Sequence, residues 1–178
     1  EQNATRVLVL LSILVIVCIF VLLFIAFNSI KNSLLIMTNL PLALIGGVFS
    51  LYFTDSILSV ASLVGFITLF GIATRNGIMM VSHFIYLMKY EGKSIAQAVR
   101  QGAIERLSPI LMTAFCAGLA LVPLAMNSDK PGNEIQAPMA VVILGGLVSS
   151  TLLNMIVVPA LYLKFGEKFF RGIFHSPK

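Results

Sequence analysis

The chain has 178 residues, of which 58% are hydrophobic and only 11% are charged. An average soluble domain has about 25% charged residues, so this composition excludes a water-soluble globule and indicates a protein embedded in a lipid bilayer. The net charge of +5 would suggest nucleic-acid binding in a soluble protein, but the charges lie between apolar runs, and we expect no nucleic-acid partner. Cys18 and Cys116 lie inside such runs without ligands at metal spacing, so we expect no disulfide, metal site or cofactor.

Five apolar stretches are long enough to cross a bilayer as helices. A hydrocarbon core about 30 Å thick requires about 20 helical residues. The predicted transmembrane helices cover residues 7–30, 32–54, 59–88, 107–128 and 137–163. The third contains one charged residue, Arg75, and the other four contain none. The whole chain, 1–178, is therefore predicted to form a single all-α transmembrane domain.

A further short helix is predicted between the third and fourth spans. Ser94 and Gln97 are spaced as a capping box, in which each side chain satisfies a free backbone N–H group at a helix start. The apolar residues that follow fall on one helical face. This pattern predicts an amphipathic helix over 94–105 that lies on the inner membrane surface. Pro109 then suits the first turn of the fourth span, where its missing N–H costs little.

The distribution of basic residues predicts the orientation of the chain. Lys and Arg are retained in cytoplasmic loops. Two basic residues, Arg6 and Lys130, fall on one side of the predicted bilayer, and nine fall on the other: Lys31, Lys89, Lys93, Arg100, Arg106, Lys164, Lys168, Arg171 and Lys178. We therefore expect the C-terminus in the cytoplasm and the N-terminus outside. A chain that opens outside on Glu1, without an initiator Met, is expected to continue upstream in a longer polypeptide.

Arg75 is the residue that most strongly suggests a function. A guanidinium near the bilayer centre costs at least about 2.5 to 3.5 kcal/mol, so an interaction must offset that cost. Every acidic residue of the chain falls in a loop, a tail or a helix end, and none can reach Arg75. We therefore expect Arg75 to face the protein interior and a carboxylate from elsewhere, an anionic ligand or a wet cavity. A static ion pair that fixes helix packing is the alternative.

Polar and small residues accompany Arg75 along its helix. Thr68, Gly71, Arg75, Met79 and Ser82 recur at three- and four-residue spacing and therefore share a face. On the adjoining face lie two further residues, Asn76 and His83. His83 could transfer protons, although an interfacial histidine without such a role is the more common case.

Other residues around Arg75 have competing interpretations. In the fourth span, Thr113 could meet the polar face around Arg75, or it could bond its own backbone, as a lone Thr in a membrane helix usually does. Met79 and Met80 could suggest soft-metal binding. Neighbours on a helix point about 100° apart, so gap filling is the better interpretation of the two methionines.

Four ordered motifs are similar to those of the resistance-nodulation-division (RND) transporters. They are GIATRNGIMMVSH at 71–83, ERLSPILMT at 105–113, GNEIQAPMAVVILGG at 132–146 and VPALY at 158–162. The match covers nearly the whole chain, and the EIQAP stretch most resembles the heavy-metal efflux branch. This resemblance implies the last five helices of a twelve-helix bundle, together with the inner interfacial helix.

The resemblance also implies a function and partners. It implies a proton-driven antiporter of the bacterial inner membrane rather than an enzyme, which works as a homotrimer with a periplasmic adaptor and an outer-membrane channel. The family's relay pairs acidic residues of the first half, absent from this chain, with a basic residue that Arg75 matches. Asn76 matches the Asn that follows it, and Arg106 and Thr113 match the inner Arg and the Thr of the relay. Ser82 and His83 are possible secondary members.

Two questions stay open at this point. Many members of the metal branch are uncharged at the position of Arg75, so the exported substrate could be a metal cation or a small toxic compound. A different class of function is also possible, namely a non-transporting scaffold or translocation accessory of the same superfamily. Acidic residues in an upstream hydrophobic span would favour the antiporter over the accessory.

Overall fold

The computed structural model describes residues 2–54, 59–126, 132–133 and 135–174, with side chains for 6–54, 59–126, 132–133 and 135–164. This part of the chain is helical, and its elements are α1 (Gln2–Phe27), α2 (Ile30–Met37), α3 (Asn39–Phe53), α4 (Val60–Tyr90), α5 (Ile95–Met126) and α6 (Gln136–Phe174). Five helical stretches are long and apolar enough to cross a membrane, with α2 and α3 counted as one. The expected all-helical class and number of long apolar helices are confirmed.

The first two spans differ in detail from the sequence-based ranges. The first helix ends at Phe27 rather than near residue 30, because Asn28 adopts a left-handed backbone with φ of 45° that Asn tolerates better than most residues. The second span is interrupted at Thr38, between α2 and α3. Pro41 lacks the N–H that would bond the carbonyl of Met37, so the helical ladder is incomplete at that point.

The fourth span differs more, because α5 is one continuous helix from Ile95 to Met126. The capping box is confirmed, since the backbone N–H of Ser94 donates to Gln97 Oε1 at 3.2 Å and that of Gln97 to Ser94 Oγ at 3.4 Å. The prediction of a separate interfacial helix over 94–105 is wrong. Pro109 lies inside α5 and not in the first turn of a helix. At Pro109 a continuous helix leaves one backbone bond unmade, whereas a break there would leave up to four N–H and four C=O groups unpaired.

The last helix, α6, lies at the centre of the bundle and contacts α2, α3, α4 and α5. Its approach to α3 depends on glycines. A Cβ added to Gly145 would lie 2.7 Å from the carbonyl oxygen of Gly46, so neither residue leaves room for a side chain. Ser50 Oγ donates to the carbonyl of Val141 across the same contact at 2.9 Å. Gly46 and Gly145 therefore let α3 and α6 approach each other closely, as small residues do between membrane helices.

Polar side chains are buried between the central helices. Asn39 of α3 and Asn154 of α6 are each 1% exposed, and Asn39 Nδ2 donates to Asn154 Oδ1 at 2.9 Å. Gly77 of α4 packs against this pair, because a Cβ there would lie 2.5 Å from Asn39 Nδ2. By contrast, α1 buries little of its surface within the described chain, and Leu23 is its one fully buried side chain there.

Candidate functional site

The polar residues predicted to share a face of α4 lie on the face that this chain leaves open. Thr68, Gly71, Arg75 and Ser82 are exposed, and Met79 is half-buried. The hydroxyls of Thr68 and Ser82 donate to the carbonyls four residues before them, at 3.0 and 2.7 Å. We call this set the open face of α4. Residues on the opposite face are buried, and α4 contacts α1, α2, α3, α5 and α6.

Arg75 lies in the middle of this open face. Its guanidinium makes no hydrogen bond or ion pair with any side chain that the structure describes. Its neighbour Asn76 is buried, because consecutive residues on a helix point about 100° apart. The two adjacent residues predicted to act together therefore face different surroundings. An arginine charge is thus presented, unpaired within the described chain, half-way along a helix long enough to span a bilayer.

Thr113 is exposed on α5, and its hydroxyl donates to the carbonyl of Ile110 at 2.9 Å. The expectation that a lone membrane Thr bonds its own backbone is therefore confirmed for this chain. No hydrogen bond among the described residues joins Thr113 to Arg75 or to Arg106. Its side chain faces outward and is available to a group outside this chain.

A cluster of ionisable groups joins α4 to α5. His83 Nε2 lies 2.6 Å from Glu105 Oε2, and His83 Nδ1 lies 3.3 Å from an Nη atom of Arg106. His83 and Arg106 were each candidates from the sequence, whereas Glu105 and the contacts among the three residues were not predicted. They are 22 and 23 residues apart along the chain, so their meeting depends on how two helices rotate about their axes.

The local sequence explains why the two helices come so close. The chain reverses through Gly92, whose φ of 64° is left-handed and favours glycine. Gly102 of α5 then faces Phe84 of α4, and a Cβ at Gly102 would lie 2.7 Å from the Phe84 ring. Gly102 thus permits the close packing that places Glu105 and Arg106, one turn further along α5, beside His83.

Hydrogen bonds extend this cluster towards the turn between the helices. Gln101 Nε2 donates to Glu105 Oε1 at 2.7 Å, and Lys93 Nζ donates to Gln101 Oε1 at 2.6 Å. Lys93 also forms an ion pair with Glu91. Glu105 lies in the charged first part of α5, before the apolar stretch that begins at Leu107. The hydrogen bonds from Gln101 and His83 hold the pKa of its carboxyl below the usual range, because both stabilise the charged form.

Metal-binding residues do not cluster in the described part of the chain. Groups of three or more His, Cys, Asp or Glu that could hold an ion are absent from residues 2–54, 59–126, 132–133 and 135–174. Met80 is buried in the apolar cluster around Val81 and Phe84, and Met79 packs against that cluster. Both methionines therefore fill space between helices, as the spacing on the helix predicts.

Long apolar helices packed around α6, one of them with an arginine half-way along it, define a segment of a multi-pass α-helical membrane protein. The family model described as "AcrB/AcrD/AcrF family" matches residues 1–166. The chain therefore belongs to this RND family, and the resemblance inferred from its four motifs is confirmed. Membership of a transporter family, rather than an enzyme family, is confirmed with it.

The relatives of this chain include metal resistance proteins and a multidrug resistance protein. The chain is 45% identical over 161 residues to the cobalt-zinc-cadmium resistance protein CzcA of Cupriavidus metallidurans and 39% identical over 160 residues to the nickel and cobalt resistance protein CnrA of the same species. It is 34% identical over 145 residues to the multidrug resistance protein MdtC of Erwinia tasmaniensis. These alignments cover 90%, 90% and 82% of the chain.

The fold is also similar to that of a solved transporter. One crystal structure of a heavy-metal efflux pump aligns with a TM-score of 0.83 and 38% identity over 93% of the chain. A second crystal form of a heavy-metal efflux pump aligns with a TM-score of 0.79 and 37% identity. The chain spans 16% of each pump structure and 14–15% of the CzcA, CnrA and MdtC sequences.

Proposed function

We propose that the full-length protein exports heavy-metal cations across the bacterial inner membrane and that this chain supplies the last five of its twelve transmembrane helices. The 45% identity to CzcA over 90% of the chain is the observation that carries this proposal. Identity to the multidrug protein MdtC is lower, at 34%, which favours a metal cation over an organic compound. The metal is the cargo, so the described helices need no resident metal cluster.

The open face of α4 supports a proton-coupled mechanism. Arg75 presents a charge in the middle of a span, and placing it there costs about 2.5 to 3.5 kcal/mol unless a partner offsets the cost. Carboxylates from the remaining part of the polypeptide are the proposed partner. Protonation would weaken their attraction to Arg75 and allow the helices to shift, while Arg75 keeps its charge throughout.

The other predicted relay residues have roles that follow from their positions. Thr113 is exposed on α5 and would meet the same external helices as Arg75. Arg106 is held beside His83 and would form the inner end of the relay. Asn76, which is buried, would fix the rotation of α4 rather than touch a proton. The orientation with the C-terminus in the cytoplasm, the homotrimer, the periplasmic adaptor and the outer-membrane channel belong to the same proposal.

Transport by the full-length protein in everted membrane vesicles tests this function. Wild-type vesicles should accumulate Zn²⁺, Co²⁺ or Cd²⁺ when a proton gradient is imposed, and Arg75→Met should reduce the rate at least about tenfold because the carboxylates lose their counter-charge. Arg75→Lys keeps the charge and should retain measurable transport. A wild-type transport rate in the Arg75→Met variant would overturn the proposed role of Arg75 in the relay. If the vesicles accumulate an organic cation but no metal, the proposal that the substrate is a metal cation is overturned.

A further inference from the structure

The imidazole ring of His83 contacts Glu105 and Arg106 of α5. Only one placement of the ring proton satisfies both contacts. A guanidinium has only donor groups, so the contact of 3.3 Å between Arg106 Nη and His83 Nδ1 requires Nδ1 to be the acceptor. The ring proton then sits on Nε2 and is donated to Glu105 Oε2, 2.6 Å away. Arg106 therefore selects both the neutral state of the ring and its tautomer.

We propose that His83 is a positioning residue for Arg106 and that it holds Arg106 against α4 only while its ring is neutral. Protonation of Nδ1 removes the lone pair that accepts from Arg106 and places two positive groups in contact. Arg106 then leaves the ring, while the imidazolium keeps its contact with Glu105. This inference rests on the proposed function, because the released residue is the one proposed as the inner end of the relay.

The surroundings of Arg106 make this contact easy to break. The His83 ring is the one hydrogen-bond partner that the described residues give to its guanidinium, and Arg106 Nε is buried without a partner. A buried donor without a partner has lost its hydration, so release into water regains hydration that the closed arrangement lacks. A single proton on His83 is therefore sufficient to change the balance.

The charged groups around His83 come from both helices. From α5, Glu105 favours the protonated ring and Arg106 opposes it. From α4 itself, Tyr86 stacks on the ring at 6.2 Å between centroids. Lys93 reaches the cluster only through Gln101, and Glu91 only through Lys93. From α6, Tyr162 packs edge-to-face on Phe84, the residue next to His83 in the chain.

Access to water is the remaining requirement for a proton-controlled contact. The side chain of His83 is 13% exposed and that of Glu105 is 43% exposed. A proton can therefore reach the pair through Glu105 without crossing the apolar cluster. In the proposed orientation this end faces the cytoplasm, so the link between α4 and α5 responds to cytoplasmic pH.

Transport by the full-length protein in liposomes tests the inference when only the pH on the cytoplasmic side is varied. Wild-type export should change several-fold, with an inflection between about pH 5 and 8, where histidine side chains change charge. His83→Asn offers an acceptor to Arg106 but cannot titrate in this range, so the inflection should disappear. Glu105→Gln removes the carboxylate that contacts the imidazole and should therefore change the pH response of the wild type, whereas His83→Asn should abolish it.

Glu91→Gln is the matched control, since it makes the same charge change at the far end of the cluster and should leave the inflection in place. An unchanged inflection in His83→Asn would overturn the inference. If the wild type exports no metal, the proposed function fails, and a second measurement then decides the inference alone.

That measurement is the distance between spin labels at Tyr90 and Ile104, both exposed and outside the cluster, in the full-length protein in nanodiscs. Lowering the pH from 8 to 5.5 should shift or broaden the wild-type distance distribution and leave that of His83→Asn unchanged. Identical behaviour of the two proteins would overturn the inference whether or not transport occurs.

Discussion

Asn39 and Asn154 form a buried hydrogen bond of 2.9 Å between α3 and α6, although they lie 115 residues apart in the chain. The bond lies beside the interruption at Thr38, where Pro41 leaves the helix without one of its backbone bonds. Asn39 Oδ1 and Asn154 Nδ2 have no partner among the described residues. The pair therefore fixes the register of two central helices and leaves each amide only partly satisfied.

Replacing one member of this pair should destabilise the protein more than replacing both. Asn154→Leu leaves Asn39 Nδ2 buried without its acceptor, which should cost about 1 to 3 kcal/mol. The double variant Asn39→Leu with Asn154→Leu removes both polar groups and should recover part of that loss. Denaturant titration of the purified full-length protein measures the free energy of unfolding of the wild type, the single variant and the double variant. Additive losses in the double variant would show that the bond does not couple the two helices.

Two glycines in helices test the close packing between α3 and α6. Gly145→Ala should destabilise the protein by about 1 to 3 kcal/mol, because the added methyl meets the carbonyl oxygen of Gly46 and Ser50 and cannot be accommodated without backbone movement. Gly118→Ala is the matched control, since the nearest atom to its added Cβ, Leu144 Cδ2, lies 4.0 Å away.

In Gly118→Ala the gain in helix propensity is about 1 kcal/mol. Thermal unfolding of the full-length protein should therefore move in opposite directions for the two variants. Equal shifts would contradict the packing described between α3 and α6.

The sequence predicts the long apolar helices and the capping box of α5 because both are local patterns. A run of apolar residues does not depend on what it packs against, and Ser94 and Gln97 need only one helical turn to meet. Pro41 is a local sequence signal for the interruption at Thr38. A span defined only by the absence of charged residues does not detect it.

The contacts between helices could not be predicted in the same way. Whether His83 meets Glu105, or Asn39 meets Asn154, depends on the rotation and register of helices packed against each other. A single sequence restricts these only through the size of the residues at the contact. The same argument applies to Arg75: the polar face of α4 that carries it was predictable from periodicity, whereas the described residues give its guanidinium no partner.

The contact between α4 and α5 should weaken in acid because of Glu105. Its hydrogen bonds with Gln101 and His83 lower its pKa from the ordinary value of 4.5. A carboxyl with a lowered pKa in the folded state stabilises that state above its unfolded pKa, and the contribution is lost as the pH falls through the folded value. Glu105→Gln should therefore reduce stability at pH 7 and have little effect near pH 3.

The stability difference between wild type and Glu105→Gln, measured by thermal unfolding across this range, isolates the one carboxyl from the others. Glu91→Gln serves as the control, since its carboxylate is joined to Lys93 and not to His83. A difference that stays constant from pH 7 to pH 3 would contradict the stated role of Glu105.

Thr113 allows the relay to be separated from the fold. Its hydroxyl bonds only Ile110 of its own helix and is exposed in this chain, so Thr113→Val should change stability by less than about 0.5 kcal/mol. If the hydroxyl serves the proposed relay, the same variant should slow metal-driven proton uptake in full-length proteoliposomes about tenfold or more, within the range typical of positioned proton-transfer groups. Thr113→Ser keeps the hydroxyl and should retain most of the rate. Equal rates of proton uptake in Thr113→Val and Thr113→Ser would show that Thr113 is not part of the relay. A fall in stability in both variants would show that the residue packs against helices outside this chain.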